Sequence, residues 1–293
     1  MLVPRRATFA AILACSCTTA PSSPPAVTAP ASAEIQVEIR PELARAHHEH
    51  GYEGVFVVRA ADGEWIASDA AWLDTAVVPA STFKIFNSLV ALETGVAPDP
   101  EFVLEWDGTD RGFPSWNRDH TLRSAFEHSA VWYYQEIARR ISPEHMAHWV
   151  TAAQYGNANI EGGIDRFWLN GELRITPRQQ VDFLRRLADG ALPFSATTVE
   201  TLLDVMVWSH DPDRTIRAKT GWASPGEAGE AAPDHHVGWF VGSVQTTRGR
   251  HDFATLLVAT RDQLETNGSD HFRDARIAIT LENLAQLGIT PHR

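Results

Sequence analysis

Residues 79–95 predict one buried helix, and this stretch constrains the fold more than any other part of the chain. Its apolar residues form two rows at helical spacing, with Ile85, Leu89 and Leu92 in one row and Phe86 and Val90 in the other. Gly95 follows at the position of a left-handed helix cap. Polar residues are almost confined to the first turn, so the helix has to lie inside a sizeable core.

Ser81 and Lys84 fall in that first turn, three residues apart and therefore on the same side of the helix. The amide groups of a first turn have no partner inside the helix, and the helix dipole favours negative charge there. A hydroxyl, an amine and unpaired N–H donors are thus predicted to meet at one place.

Lysine is rare in this chain, and both lysines belong to recognisable motifs. Of 25 Lys and Arg residues, only Lys84 and Lys219 are lysines. A buried lysine can become a neutral amine, whereas arginine keeps its proton. Lys84 ends a Ser-Thr-Phe-Lys motif at 81–84, and Lys219 begins a Lys-Thr-Gly motif at 219–221. The two motifs in this order indicate acyl transfer by a serine nucleophile.

The predicted chemistry needs a base and an oxyanion site. A serine hydroxyl is a weak nucleophile until a base takes its proton, and Lys84 is the candidate base one turn from Ser81. Its ordinary pKa of about 10.4 has to be lowered by burial before it can accept that proton at neutral pH. The predicted oxyanion donors are the backbone N–H groups of Ser81 and Trp222. The candidate apolar walls of the pocket are Phe83, Val131, Trp168 and Leu169.

The N-terminal 33 residues are predicted to lie outside the folded domain. Residues 1–20 resemble an export signal, with Arg5 and Arg6 followed by an apolar segment too short to span a bilayer. Cleavage before Cys15 is the alternative, and it would leave a lipid-anchored protein. Residues 21–33 contain only Pro, Ala, Ser, Thr and Val and indicate a spacer. The expectation is an exported protein, periplasmic or secreted, with one domain at 34–293.

Net charge and histidine spacing bear on partners and metals. A formal charge of −12 argues against nucleic acid and anionic membrane surfaces as partners. The sequence predicts no transmembrane span and is compatible with a monomer or a homodimer. His235 and His236 are adjacent, so a strand would point them to opposite faces, which favours a solvated loop over a zinc site. No metal is predicted.

Strand patterns at both ends of the domain surround a helical middle, which predicts an α+β fold with an inserted helical lobe. The predicted strands are 54–59 and 64–68, which form a hairpin, with 215–220, 237–244 and 251–260. The predicted helices after the central one are 121–140, 143–153, 177–189, 197–208 and 270–287.

Further motifs extend the two lysine motifs across nearly the whole domain. They are Trp-Asp-Gly at 106–108, Trp-Asn-Arg-Asp-His-Thr-Leu at 116–122, Ser-Ala-Val at 129–131, Tyr-Gln-Glu at 134–136, Tyr-Gly-Asn at 155–157 and Phe-Trp-Leu at 167–169. In order and spacing the chain resembles a class D (OXA-type) serine β-lactamase. The resemblance implies a fold like that of β-lactamases and penicillin-binding proteins, with an antiparallel sheet flanked by terminal helices. It also implies a hydrolase that opens the β-lactam amide and gives antibiotic resistance.

The resemblance implies a role for each catalytic residue. Ser81 is the acylated nucleophile, and Lys84 reacts with carbon dioxide or bicarbonate so that its carboxylated form acts as general base. The indole N–H of Trp168 is the expected partner of that group. Ser129 relays a proton to the leaving nitrogen, and Lys219 tunes this relay. No other cofactor is expected.

The substrate-binding residues implied by the resemblance lie around the Lys-Thr-Gly motif. Lys219 draws in the substrate carboxylate and Thr220 binds it. Arg276 is the best candidate for the arginine clamp, with Arg273 and Arg261 as fallbacks. The other expected contacts with substrate are Gly221, Val131 and Leu169.

The chain departs from the usual family pattern in one connection, and two other functions are alternatives to hydrolysis. Residues 223–233 make a long connection after Lys-Thr-Gly, which bears on the substrate range but not on the reaction type. The first rival is a penicillin-sensing module that stays acylated. The second is a penicillin-binding D,D-transpeptidase or carboxypeptidase, which deacylates slowly from β-lactams.

Overall fold

A seven-stranded sheet lies at the centre of the fold in a computed structural model that describes residues 36–291. The strands of the described chain are β1 (Glu38–Ile39), β2 (Glu53–Arg59), β3 (Trp65–Ala67), β4 (Val103–Leu104), β5 (His120–Thr121), β6 (Val207–Asp211), β7 (Arg214–Ala223), β8 (His235–Thr246) and β9 (Gly249–Thr260). The large sheet has the order β1-β3-β2-β9-β8-β7-β6, and β4 pairs with β5 separately. The export signal, Cys15 and the spacer lie outside the described residues.

The helices fall into a terminal group and a central group. They are α1 (Arg45–Glu49), α2 (Lys84–Glu93), α3 (Leu122–Glu127), α4 (Val131–Ile141), α5 (Pro143–Ala152), α6 (Pro177–Ala188), α7 (Ala196–Val205), α8 (Arg261–Asn267) and α9 (Ser269–Gln286). Helices α2 to α7 lie between β3 and β6 in the chain and make up the helical insertion, of which α6 also packs on the sheet. None of the helices in residues 36–291 is both long and apolar enough to cross a bilayer.

Helices cover both faces of the sheet. Residues 54–58 of β2 are all buried, which a strand exposed on one face would not allow. Helix α9 packs on β8 and β9, and α6 packs on β2 and β9. One core cluster joins Phe56 and Val58 of β2 to Phe240, Phe253 and Leu284. The predicted α+β architecture, with terminal helices on the sheet and a helical insertion, is confirmed. Pairing is antiparallel except between β1 and β3.

The predicted helix over residues 121–140 is wrong in its middle. Helix α3 ends at Glu127 and α4 begins at Val131. Ser129 between them has φ +56°, and Ala130 is extended with φ −61° and ψ 106°. These dihedral angles cannot continue an α-helix. Ser129 therefore lies on a turn between two helices rather than in the middle of one.

Two other boundaries also differ from the sequence prediction. The helix predicted for 197–208 ends at Val205, because Met206 accepts a hydrogen bond from the Ala218 N–H and Val207 pairs with Arg217 in the sheet. His235 and His236 lie in β8, paired with residues of β9, and not in a loop. Within the described part of the chain, no group of three or more His, Cys, Asp or Glu side chains is arranged to hold a metal ion.

The long connection after β7 is anchored to the rest of the domain. The N–H of Val78 donates to the carbonyl of Ala228 at 3.3 Å, and Gly226 donates to Pro233 at 2.7 Å. Ala228 and Ala232 are fully buried. This connection therefore packs against the chain just before Ser81.

Candidate active site

Ser81 lies on a tight turn that leads into α2. Residues Ala80–Phe83 form a 3-10 turn, and the α-helix proper begins at Lys84. The N–H of Thr82 donates to the carbonyl of Pro79 at 3.2 Å. Ala80 has φ +49°, a left-handed conformation that residues other than glycine rarely adopt. The backbone is therefore strained at the residue before the candidate nucleophile.

Ser81 and Lys84 are in direct contact. The Nζ atom of Lys84 donates a hydrogen bond to Oγ of Ser81 at 2.8 Å. The Lys84 side chain is fully buried. Burial lowers the pKa of this amine well below its usual range, and the charge of Lys219 lowers it further. The site therefore favours a neutral amine beside the hydroxyl, which is the state that can accept a proton or react with an electrophile.

Helix α4 supplies an aromatic wall that the sequence analysis did not assign. The ring of Tyr134 lies 5.4 Å from Nζ of Lys84. Its hydroxyl is 2.9 Å from Oγ of Ser88, and its carbonyl accepts from Nδ2 of Asn87 at 3.2 Å. These contacts fix α4 against α2 just after Val131, which is the half-buried first residue of α4. Tyr134 stands in a quoted motif, but its spacing alone gives no role.

Trp168 presents a buried donor without an acceptor. Its ring stacks on Phe83 at a centroid distance of 5.4 Å, and its side chain is fully buried. The indole Nε1 has no hydrogen-bond partner. A buried N–H of this kind calls for an acceptor, and Trp168 packs on Phe83, the residue before Lys84. Leu169 follows in the same turn and is half-buried.

Strand β7 lies directly against the nucleophile turn. A Cβ atom at Gly221 would approach the Pro79 carbonyl oxygen to 3.0 Å and the Thr82 methyl carbon to 3.1 Å. Only glycine allows this contact without a shift of the turn. The Lys-Thr-Gly motif is thereby held beside Ser81.

The same strand has an open edge at its C-terminal end. The N–H of Ala218 points toward β6 and donates to Met206, where pairing with β6 stops. Because N–H directions alternate along a strand, the N–H of Trp222 points to the same side, beyond the end of β6. Its side chain turns elsewhere, toward Nδ1 of His236 at 3.3 Å and the ring of Phe272. The backbone N–H of Trp222 therefore lies on the edge of β7 that β6 leaves open.

Lys219 and the turn carrying Ser129 meet around Phe126. The Nζ atom of Lys219 lies 5.6 Å from the centre of the Phe126 ring and 3.3 Å from Oγ1 of Thr220. The carbonyl of Phe126 accepts from the N–H of Ser129. Burial, aided by the charge of Arg276, lowers the pKa of Lys219 to about 7. This amine therefore changes its charge close to neutral pH.

Arg276 is the arginine that the structure brings to β7. Its side chain is buried, its Nη1 donates to the carbonyl of Gly221, and its Nε donates to the carbonyl of Arg273 at 2.9 Å. Burial lowers its pKa to about 10, so it stays cationic at neutral pH. The fallback Arg273 is exposed and paired with Asp270 and Asp274, and Arg261 is also exposed.

This arrangement of turn, lysine pair and edge strand defines the class of the protein. Residues 54–275 match the Transpeptidase family, which is described as the penicillin binding protein transpeptidase domain. Within that class, the chain belongs to the class D serine β-lactamases, a family of hydrolases.

Three similar proteins support this family. A probable β-lactamase YbxI of Bacillus subtilis is 42% identical over 177 residues, which are 60% of this chain and 63% of that protein. The β-lactamase OXA-5 of Pseudomonas aeruginosa is 40% identical over 66% of this chain and 71% of its own. The structure of a class D β-lactamase from Nostoc is 40% identical, with a TM-score of 0.76, over 84% of this chain and 98% of that chain. All three are named β-lactamases rather than sensors or D,D-peptidases.

Proposed function

We propose that this protein hydrolyses the β-lactam amide of penicillin-like antibiotics through an acyl-enzyme at Ser81, and that it gives antibiotic resistance in this way. The observation that carries the proposal is the 2.8 Å contact between Oγ of Ser81 and the buried Nζ of Lys84. A neutral amine at that distance can take the serine proton during attack on the lactam carbonyl. The family relationship supports the same reaction.

The identity of the base is the finer part of the proposal. Carbon dioxide added to Nζ of Lys84 would supply a carboxylate-type base that works at neutral pH. Two features of the chain support this chemistry. The pKa of Lys84 is lowered by burial, which keeps the amine reactive toward carbon dioxide. The unpartnered indole N–H of Trp168 offers a donor to the oxygen atoms that would be added.

The remaining residues would handle charge and protons in the first half-reaction. The N–H groups of Ser81 and Trp222 would hold the oxyanion that forms when Ser81 attacks the lactam. Ser129 would give its proton to the lactam nitrogen as the C–N bond breaks, and Lys219 would restore that proton. In the second half-reaction a water molecule would lose a proton at Lys84, attack the ester and release Ser81.

Substrate would be oriented by its carboxylate. Thr220 and the cations of Lys219 and Arg276 are the proposed partners, and Gly221, Val131 and Leu169 would line the pocket. The substrate is thus a small molecule that carries an anionic group beside the lactam ring. The connection 223–233 is held near Ser81 by the hydrogen bond from the N–H of Val78 to the carbonyl of Ala228. It would therefore form the wall of the cleft on that side.

We also propose that the protein acts outside the cytoplasm. The predicted export signal at 1–20 supports a periplasmic or secreted location, with lipid attachment at Cys15 as the alternative. The intact mass of the protein recovered from the expressing cells distinguishes the two, because a lipidated Cys15 adds the mass of its acyl chains. The small-molecule reaction needs no second chain, so a monomer and a homodimer are both compatible with it.

Products separate hydrolysis from the rival functions. The purified protein is mixed with an equimolar amount of penicillin, quenched over time, and analysed for acylated Ser81 and free penicilloate. The proposal predicts that acylation rises and then falls as penicilloate accumulates. Persistent acylation without penicilloate would instead indicate a sensor or a slowly deacylating D,D-peptidase.

Replacement of Trp168 by phenylalanine tests the base. We expect Trp168→Phe to lose at least about tenfold in the deacylation rate constant, because the indole N–H is lost while an aromatic ring still packs on Phe83. Added bicarbonate should recover part of the rate. Trp149→Phe, which changes a half-buried tryptophan that stacks on Phe194 and has no assigned role in the site, is the matched control. A Trp168→Phe variant with normal deacylation and no response to bicarbonate would contradict the proposed base.

The pH profile tests the role of Lys219. With a pKa of about 7, Lys219 is cationic below that pH and neutral above it. We therefore expect kcat/KM for penicillin to fall above pH 7, by up to about tenfold per pH unit. Lys219→Arg keeps a cation throughout this range and should remove the falling limb. A limb that persists unchanged in Lys219→Arg would show that another group titrates.

A further inference from the structure

Gln180 is a buried polar residue on an otherwise apolar helix face. It lies on α6 on the same side as Phe183, Leu184 and Leu187, which are all buried, and it is itself 1% exposed. Its Nε2 donates to Oγ1 of Thr82 at 2.9 Å. Thr82 directly follows Ser81 in the chain. The one polar group on this face of α6 is therefore satisfied by the nucleophile turn.

The direction of the hydrogen bonds around Thr82 is fixed by its single hydroxyl proton. Oγ1 of Thr82 donates that proton to the carbonyl of Pro79 at 2.7 Å. The same oxygen accepts from Gln180, so the chain of donors runs from Gln180 through Thr82 to Pro79. The Thr82 methyl group faces the close contact with Gly221. Ser81 thus lies between two residues that this chain of bonds holds in place.

The turn needs such support because Ala80 is in a left-handed conformation. The Pro79 carbonyl accepts from both the N–H and the hydroxyl of Thr82, so a displacement of Thr82 would let the strained peptide relax and Ser81 turn away from Lys84. Two features make α6 a firm anchor for the turn. Val77 and Ile175 exchange backbone hydrogen bonds of 3.1 and 2.9 Å just before the turn and just before α6. Thr176 then begins α6 with a capping box.

Aromatic rings keep water away from this network. Tyr155 packs edge-on against Phe83 and Phe183 at centroid distances of 5.5 and 4.9 Å. Thr82 is fully buried, and Gln180 nearly so. The hydroxyl of Tyr155 also lies beside Thr82 and Gln180. Loss of Gln180 removes the amide donor from which Oγ1 of Thr82 accepts.

We propose that Gln180 is a positioning residue for acylation. By donating to Thr82 it holds the Pro79 carbonyl and the strained Ala80 peptide, and so keeps Oγ of Ser81 in line with Nζ of Lys84. This inference rests on the proposed role of Ser81 as the nucleophile. It assigns Gln180 no contact with substrate or with reacting atoms.

The test is the acylation rate constant of full-length variants, measured by rapid quench with penicillin and intact mass. Gln180→Met keeps the length of the side chain without a donor, and Thr82→Val keeps its shape without a hydroxyl. Each variant is expected to acylate at least about tenfold more slowly, because a small misplacement of a nucleophile lowers the rate of attack strongly. The dissociation constant for penicillin should not change. Thr82→Ser should recover most of the rate. Gln286→Met, at an exposed glutamine of α9, is the matched control and should acylate at the normal rate.

A double mutant separates positioning from general destabilisation. If Gln180 acts through Thr82, the Gln180→Met change adds nothing to the acylation defect in a Thr82→Val background. The inference would be overturned if the rate losses of Gln180→Met and Thr82→Val multiplied in the double mutant. It would also be overturned if Gln180→Met acylated within twofold of the wild-type rate. The same holds if Thr82→Val acylates normally, a result that does not depend on Gln180→Met folding. Failure of the proposed function looks different, since the wild-type protein would then never become acylated on Ser81.

Discussion

Replacement of Ser81 by alanine is expected to lower penicillin hydrolysis by roughly 10⁴-fold or more and to abolish the covalent adduct. The change removes the one atom that we propose to bond covalently to substrate. Thr82 and Pro79 hold the turn through their own hydrogen bonds, so Ser81→Ala should still fold and still bind penicillin non-covalently. Intact mass after mixing with penicillin gives the adduct, and calorimetry gives the residual binding.

Ser195→Ala is the matched control for this prediction. Ser195 caps α7 by accepting from the N–H of Thr198, and its loss should lower stability by about 1 kcal/mol without changing acylation. An adduct of unchanged mass and yield on Ser81→Ala would mean that another residue is the nucleophile. A Ser195→Ala protein that is not acylated would show that loss of stability alone can abolish the reaction.

Replacement of Lys84 is the second change with a large expected effect. Activity should fall, and the stability of the folded protein should rise. Lys84→Ala and Lys84→Met are both expected to lose about 10³-fold in turnover, because no other base contacts Ser81 among the described residues. The pKa of Lys84 is lowered in the folded protein, so the unfolded chain binds this proton more tightly and the native state is penalised at neutral pH. Lys84→Met removes that penalty while filling the same space.

Thermal unfolding at several pH values checks the second half of this prediction. The melting temperature of Lys84→Met should exceed that of the wild type near pH 7, and the difference should shrink as the pH rises toward the ordinary lysine pKa. Lys84→Ala leaves a cavity, so its melting temperature should rise less than that of Lys84→Met. Unchanged hydrolysis by either variant would refute Lys84 as the base. A melting temperature of Lys84→Met below the wild type at every pH would contradict the penalty for burying the amine.

Much of the fold, and the pairing of Ser81 with Lys84, could be predicted from local sequence patterns. The central helix was recognisable because Ile85, Leu89 and Leu92 recur at helical spacing, and the structure ends it beside Gly95 with φ +71°, as expected. The hairpin of β2 and β3 was confirmed in its pairing. The pair of Ser81 and Lys84 was predictable because three residues of helix bring two side chains to one side. The scarcity of lysine made the second motif stand out.

Other features depend on contacts that are distant in sequence. The break at Ser129 was missed because residues 121–140 have a helical pattern on both sides, and no Gly or Pro marks the residue with positive φ. The end of α7 was missed because Val207 pairs with Arg217 in the sheet, a contact that the local sequence does not indicate. Gln180 carried one local signal, a polar residue on an apolar face, but its partner Thr82 lies 98 residues earlier in the chain.

The number of penicillin molecules consumed per molecule of purified protein, with and without bicarbonate, tests the central claim most directly when the intact mass is recorded beside it. The account predicts many turnovers, faster with bicarbonate, and a protein that returns to its unmodified mass when substrate is exhausted. Consumption of a single equivalent, with the mass of the drug retained on Ser81, would contradict it.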